Sequence, residues 1–202
     1  MVTLLDEAGC ERVRKAIEAA ELLTAGEIRV LVVGRSAGPD WKLGALAGVV
    51  AGSVAYAVLA RAAWGHPGTL ELAISAAVGL AAFVAAALAA SRLWIDRAVR
   101  RRAEREFVRL GIARTAGRTG VLIMLSAVEH RAILLADEAI DAKVPPRTWA
   151  GVVGRLAAAM RDGRAAEGVA AAVLDVGRLL GAEFPRAADD VNELPDEVAH
   201  AE

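Results

Sequence analysis

Two stretches of this chain carry no charge: Leu43 to Ala60 (LGALAGVVAGSVAYAVLA) and Leu72 to Ala90 (LAISAAVGLAAFVAAALAA). Outside them, apolar residues recur among charged ones at helix or strand spacing. Asp6 to Leu23 predicts a helix with Val13, Ile17 and Ala20 on one face, closed by Thr24-Ala25-Gly26. EIRVLVVG, Glu27 to Gly34, is rich in β-branched residues and predicts a mostly buried strand. After the uncharged stretches, Val99, Ala103, Phe107 and Leu110 fall on one face of a further helix. Gly120 to Ser126 (GVLIMLS) and Arg131 to Asp137 (RAILLAD) then predict two strands joined by a polar turn around Glu129 and His130. Pro145 and Pro146 open a helix striped by Trp149, Val152, Val153, Leu156 and Met160. A last helix carries Val169, Val173, Val176 and Leu180 and stops at Phe184-Pro185.

Each uncharged stretch approaches the ~20 residues that cross a ~30 Å hydrocarbon core. Trp41, Trp64 and Trp94 sit at three of the four ends, where an amphipathic ring favours the headgroup layer. Gly65, Pro67 and Gly68 supply a short turn between them. The pattern predicts a transmembrane hairpin of two antiparallel helices; the competing reading is a buried hairpin in an alanine-rich soluble protein. Arg29, Arg35 and Lys42 precede the first span, and Arg92, Arg97, Arg100, Arg101, Arg102 and Arg105 follow the second, whereas the turn holds only Arg61. The positive-inside rule then puts both flanks in the cytoplasm, as for a multi-pass protein of the inner (cytoplasmic) membrane. Gly44, Gly48 and Gly52 recur every fourth residue, so a second helix backbone can come close. That face serves either packing within the hairpin or homo-oligomer formation.

The order helix, strand, hairpin, helix, strand, strand, helix, helix predicts an α/β (α+β) fold, a small mixed sheet covered by helices and interrupted by the hairpin. The first strand is expected to pair in parallel with Gly120–Ser126, the hairpin and the Val99 helix forming the crossover. One split domain results: residues 1–38 and 97–185, with the hairpin at 39–96 (spans about 43–60 and 72–90). Residues 186–202 read as a disordered acidic tail.

Composition sharpens this reading. The hydrophobic fraction is 56% with only 4% aromatics, and mean hydropathy is +0.42, the excess lying between Lys42 and Arg92. A net charge of −1 gives no general attraction to nucleic acid, and none is expected as a partner. The single cysteine, Cys10, forms no internal disulfide, and no Cys/His spacing suggests zinc. The N-terminus becomes charged at Asp6, unlike a cleavable signal peptide.

Three features carry candidate chemistry. Asp137, Glu138 and Asp141 gather carboxylates at a strand end, the oxygen ligands that Ca2+ or Mg2+ takes; the alternative is a solvated loop capping the next segment. His130 beside Glu129 lacks a serine or cysteine partner at motif spacing. Arg97, Arg100, Arg101 and Arg105 lie just past the second span, where each cation near an anionic leaflet contributes about 1 kcal/mol of attraction to lipid headgroups. No phosphate-binding loop, serine elbow or paired catalytic carboxylate motif is present, which weighs against an enzyme.

The opening helix followed by TAGEIRVLVV, the helix end FVRLGIART, the hairpin TGVLIMLSAVEHRAILLADEAIDAKVP and the closing MRDGRAAEGVAAAVLDVGRLL together resemble the TPM domain family. That family occurs in a photosystem II repair protein of the thylakoid lumen, an auxiliary protein of acetylcholine receptors, and many bacterial membrane proteins. The resemblance implies a membrane-anchored module that binds or helps assemble another membrane protein. It also implies, as an alternative, a weak metal-dependent phosphatase using Asp137, Glu138 and Asp141. The chain departs from the pattern at Asp137-Glu138-Ala139-Ile140, where many relatives have a glycine-containing turn, and at Arg164-Ala165, where an aromatic often stands.

Overall fold

The computed structural model describes residues 4–36, 49–50, 52–54, 57, 61, 69–186 and 192–201; within the long helix, side chains are described at 77, 81, 84, 85, 88 and from 92 onward. The elements run α1 (Glu7–Glu21), β1 (Glu27–Val33), α2 (Thr69–Arg109), a 3-10 turn (Ile112–Arg114), β2 (Gly120–Ser126), β3 (Arg131–Ala136), the short α3 (Glu138–Asp141), α4 (Pro146–Arg161), α5 (Ala165–Glu183) and β4 (Ala199–Ala201). They divide into two compact units, Met1–Ser36 with Val99–Glu202, and Ala37–Ala98.

The first unit is built on a mixed four-stranded sheet of order β3-β2-β1-β4. β1 and β2 pair in parallel, Glu27 opposite Gly120 through Val33 opposite Ser126, as the long crossover connection between them predicts. β2 and β3 form the expected antiparallel hairpin. Every residue of β1 and β2 is buried, the signature of strands covered on both faces. Ile28, Val30 and Val32 with Val121, Ile123 and Leu125 form one face, and they share a core with Val13 and Ile17 of α1, Trp149, Val152 and Leu156 of α4, and Val169, Val173, Val176 and Leu180 of α5. Each fully buried Val, Leu or Ile contributes roughly 1.5–3 kcal/mol, so these three helices supply most of the drive for that layer. Leu31, Leu122 and Met124, one position out of step, are fully buried on the opposite face.

Close helix packing depends on small residues. A Cβ at Gly177 of α5 would lie 2.5 Å from Cβ of Ala20 on α1, a distance that two helix backbones cannot absorb without moving apart. Gly120 is fixed in the same way, since a Cβ there would meet the Ile112 carbonyl oxygen at 2.7 Å. Local chemistry starts α1: the Asp6 carboxylate accepts the Gly9 amide at 2.7 Å, an N-cap worth about 1 kcal/mol.

Within the expected disordered tail, 186–202, residues 192–201 are instead held against the sheet, while 187–191 and 202 lie outside the described residues. Ala199–Ala201 pairs in parallel with Leu31–Val33, and residues 192–197 are tied along the rest of β1. Glu27 accepts from the amides of Glu193 (3.0 Å) and Leu194 (3.3 Å). Arg29, itself buried, donates to the carbonyls of Pro195 and Glu197. The physical reason is the edge of β1, whose unpaired backbone groups would otherwise be left without partners. Acidic composition alone does not reveal that partner.

In the second unit, Val49, Val50, Val54, Val84, Leu88 and Leu93 are large apolar residues with 45–60% of their surface exposed. Among the described residues, no helix is long and apolar enough to cross a membrane. Most of the expected span 43–60, and most side chains of 72–90, lie outside the described residues.

Glu21 lies under the C-terminal segment. Its buried carboxylate accepts the Ile28 amide at 3.1 Å and is met by the Asn192 side chain at 3.3 Å. Burial, with the nearby charges of Glu27 and Asp196, pushes its pKa up to about 8. The folded state therefore keeps a proton that the unfolded chain releases above about pH 4.3, so stability is full below that pH, falls progressively as pH rises, and the loss is complete once pH passes about 8. Urea denaturation at pH 5 and pH 8.5 should show Glu21→Gln nearly matching the native protein at pH 5 and exceeding it at pH 8.5 by about 1 kcal/mol or more, one pKa unit corresponding to ~1.4 kcal/mol. Equal pH dependence of the two proteins would remove Glu21 from this role.

Candidate functional site

Beside the outer edge of β3 the first unit opens a cleft of about 700 Å³. Phe107 and Val108 of α2 stand on one side, Pro146 and Trp149 of α4 on the other, and Leu134, Leu135 and Ala136 of β3 lie between them. Arg100, Glu104 and Asp141 are its charged members and are exposed. Trp149 is only 8% exposed, and its indole N–H has no hydrogen-bond partner among the described residues. Buried indoles normally find an acceptor; this nitrogen is enclosed, so it is the ring of Trp149 that lines the cleft. The sequence places Trp149 correctly in a helical stripe, but periodicity says nothing about its N–H.

The three carboxylates expected to hold a cation do not converge. Asp137 is buried as the N-cap of α3, its Oδ1 accepting the Glu138 amide at 2.8 Å and meeting Arg118 Nη2 at 3.0 Å. Glu138 is 86% exposed, 3.6 Å from the same guanidinium. Asp141 instead lines the cleft. Arg118, held at φ 52° in the turn before β2, thus supplies the positive charge that a cation would have brought. Asp137 Oδ2 is buried and without a partner, but one free oxygen falls far short of the six to eight that Ca2+ takes. Among the described residues no group of three or more His, Cys, Asp or Glu side chains is placed to hold a metal ion.

Comparison with known proteins bears on the fold alone. No protein-family model and no curated protein matches the chain. Among solved structures, it is similar to the NMR structure of the BA42 protein from the psychrophilic bacterium Bizionia argentinensis, with 18% identity over 98% of this chain and 95% of that one and a TM-score of 0.62. At that identity the likeness shows the overall fold alone.

The remaining candidates are structural in their surroundings. At the C-terminal ends of β1 and β2, buried Ser126 joins the Ser36 hydroxyl at 2.7 Å and the Glu129 carboxylate, which also accepts the Ser36 amide at 3.1 Å. Glu129 is thereby committed to closing the turn. His130 is exposed at φ 49°, its Nδ1 3.3 Å from the Val128 carbonyl. Cys10 Sγ lies 3.8 Å from His200 Nε2, a pairing invisible in sequence across the length of the chain. Burial and the charges of Asp6 and Glu7 raise the thiol pKa, the opposite of what an activated nucleophile needs. Arg97, Arg100, Arg101 and Arg105 are all exposed, with Arg100 bonded to Glu104 at 2.9 Å. Gly44 and Gly48 lie outside the described residues, and Gly52 is helical and half-buried.

Because Asp137 is buried and faces Arg118, removing the guanidinium leaves a carboxylate without its counter-charge. Arg118→Ala should destabilise the domain by about 1–3 kcal/mol, and Arg118→Ala with Asp137→Asn should recover part of that loss in a double-mutant cycle. Additive losses would show that the pair is not coupled.

Proposed function

We propose that this chain is a membrane-anchored, non-enzymatic module that binds or helps assemble another membrane protein. The observation that carries the anchor is the pair of uncharged stretches, Leu43–Ala60 and Leu72–Ala90, bounded by tryptophans and followed by arginines. Such stretches have the length and polarity of transmembrane helices. The exposed apolar residues Val49, Val50, Val54, Val84, Leu88 and Leu93 support it, since a lipid or protein covering relieves their exposure to water. Arg97, Arg100, Arg101 and Arg105 then lie next to the cytoplasmic headgroups, and the first unit stands in the cytoplasm. Binding rather than catalysis is favoured by the apolar cleft, by the commitment of Asp137 and Glu129 to local structure, and by the resemblance to the TPM domain family. A role as a homo-oligomer through Gly44, Gly48 and Gly52 remains compatible with the same anchor.

Thr69→Cys and Val128→Cys, each in a Cys10→Ser background, test anchor and sidedness together when intact cells are treated with a membrane-impermeant thiol reagent. Position 69 should label in intact cells, and position 128, on an exposed turn, only after lysis. Protection of both until lysis would overturn the anchor. Labelling of 128 alone would invert the topology.

A further inference from the structure

The edge of β3 is defined by its register. The Asp137 amide donates to the Gly120 carbonyl at 2.9 Å, and Leu135 lies opposite Leu122 and Ile133 opposite Met124. Antiparallel partners alternate between hydrogen-bonded and non-bonded pairs, so Ile133 and Leu135 turn their backbone groups toward β2. Ala132, Leu134 and Ala136 turn theirs outward. Among the described residues no strand lies on that side. Three amides and three carbonyls therefore line the edge at intervals of about 6.8 Å, two strand residues apart.

Edge strands are normally blunted by proline, lysine, bulges or a covering segment. β3 reads Arg-Ala-Ile-Leu-Leu-Ala, with no charge after Arg131 and no proline. At the other end of the sheet, by contrast, the edge strand is the C-terminal β4, only three residues long. The open edge is also the floor of the cleft between Phe107 and Val108 on one side and Pro146 and Trp149 on the other.

We propose that this edge docks an extended segment of a partner polypeptide, which adds to β3 as a further strand. The inference rests on reading the chain as a binding module and names the chemistry of what it binds. Only another backbone offers donors and acceptors at the repeat of the edge. Apolar side chains on alternate residues fill the space beside Phe107 and Pro146. Arg100 is neutralised by Glu104, whereas Asp141 has no ion-pair partner among the described residues, so the segment carries a lysine or arginine at the Asp141 end. A second copy offering its own β3 would bring its flanking α2 and α4 against these walls, which favours a single strand.

The test is selection of a phage-displayed random 12-residue library on the detergent-solubilised full chain, followed by synthesis of the enriched peptides. Enriched peptides should alternate apolar and β-branched residues and carry a lysine or arginine. N-methylation at one set of alternate backbone amides should weaken binding at least about tenfold, and at the intervening set hardly at all, because only one set faces β3. Asp141→Lys, an exposed change, should shift selection toward acidic peptides. No enrichment, indifference to which amides are methylated, or an unchanged charge preference would each overturn the proposal, as would concentration-dependent dimers that compete with the peptides. Failure here with thiol labelling as expected leaves the membrane anchor standing; peptide binding without the labelling pattern removes the anchor alone.

Discussion

Parallel pairing of β1 with β2 is the constraint on which the rest of the first unit depends. The strands are separated in sequence by residues 34–119, and parallel neighbours require a crossover connection. The chain uses that connection to hold its uncharged stretches and the whole of α2. Each strand is buried throughout its length, so neither half of the split domain can bury its strand without the other. The inserted unit is therefore spliced into the domain at the point where the fold already demands a long excursion.

With β1 central, its second edge needs a partner, and the C-terminal segment supplies one through β4 and through Glu27, Arg29 and Glu21. Burying three ionisable groups beside one strand is expensive unless they are bonded. Here the carboxylates accept backbone amides and the guanidinium donates to carbonyls, so the polar groups hold the segment in one register. Among the described residues the sheet then ends in two edge strands of unequal length, the three-residue β4 and the six-residue β3. The cleft lies beside the longer of the two edge strands, β3.

Much of this was legible in the sequence, for identifiable reasons. EIRVLVV, rich in β-branched residues, and the apolar GVLIMLS read as buried strands, and their parallel pairing follows from the long crossover between them. The helix stripes of α1, α4 and α5 read equally well because the 3.6-residue period survives in the buried positions. β4 could not be read: Ala-His-Ala has no strand character of its own, and its conformation comes from the edge it covers. The acidic group at Asp137 was legible as a cluster, with a cap on the next segment as one of its two readings, and Asp137 is that cap; its ion pair was not legible, since the counter-charge, Arg118, comes from a different turn. The Cys10–His200 approach and the unpartnered Trp149 N–H depend on tertiary placement, which no local pattern encodes.

Residue-resolved amide hydrogen exchange on the full chain tests the arrangement of central strand and open edge most directly. Protection should be greatest in β1 and β2. Along β3 it should alternate, with Ile133 and Leu135 slow, and Ala132, Leu134 and Ala136 fast. Uniform protection along β3, or β1 exchanging as fast as the C-terminal segment that covers it, would contradict the fold and the free edge on which the binding reading stands.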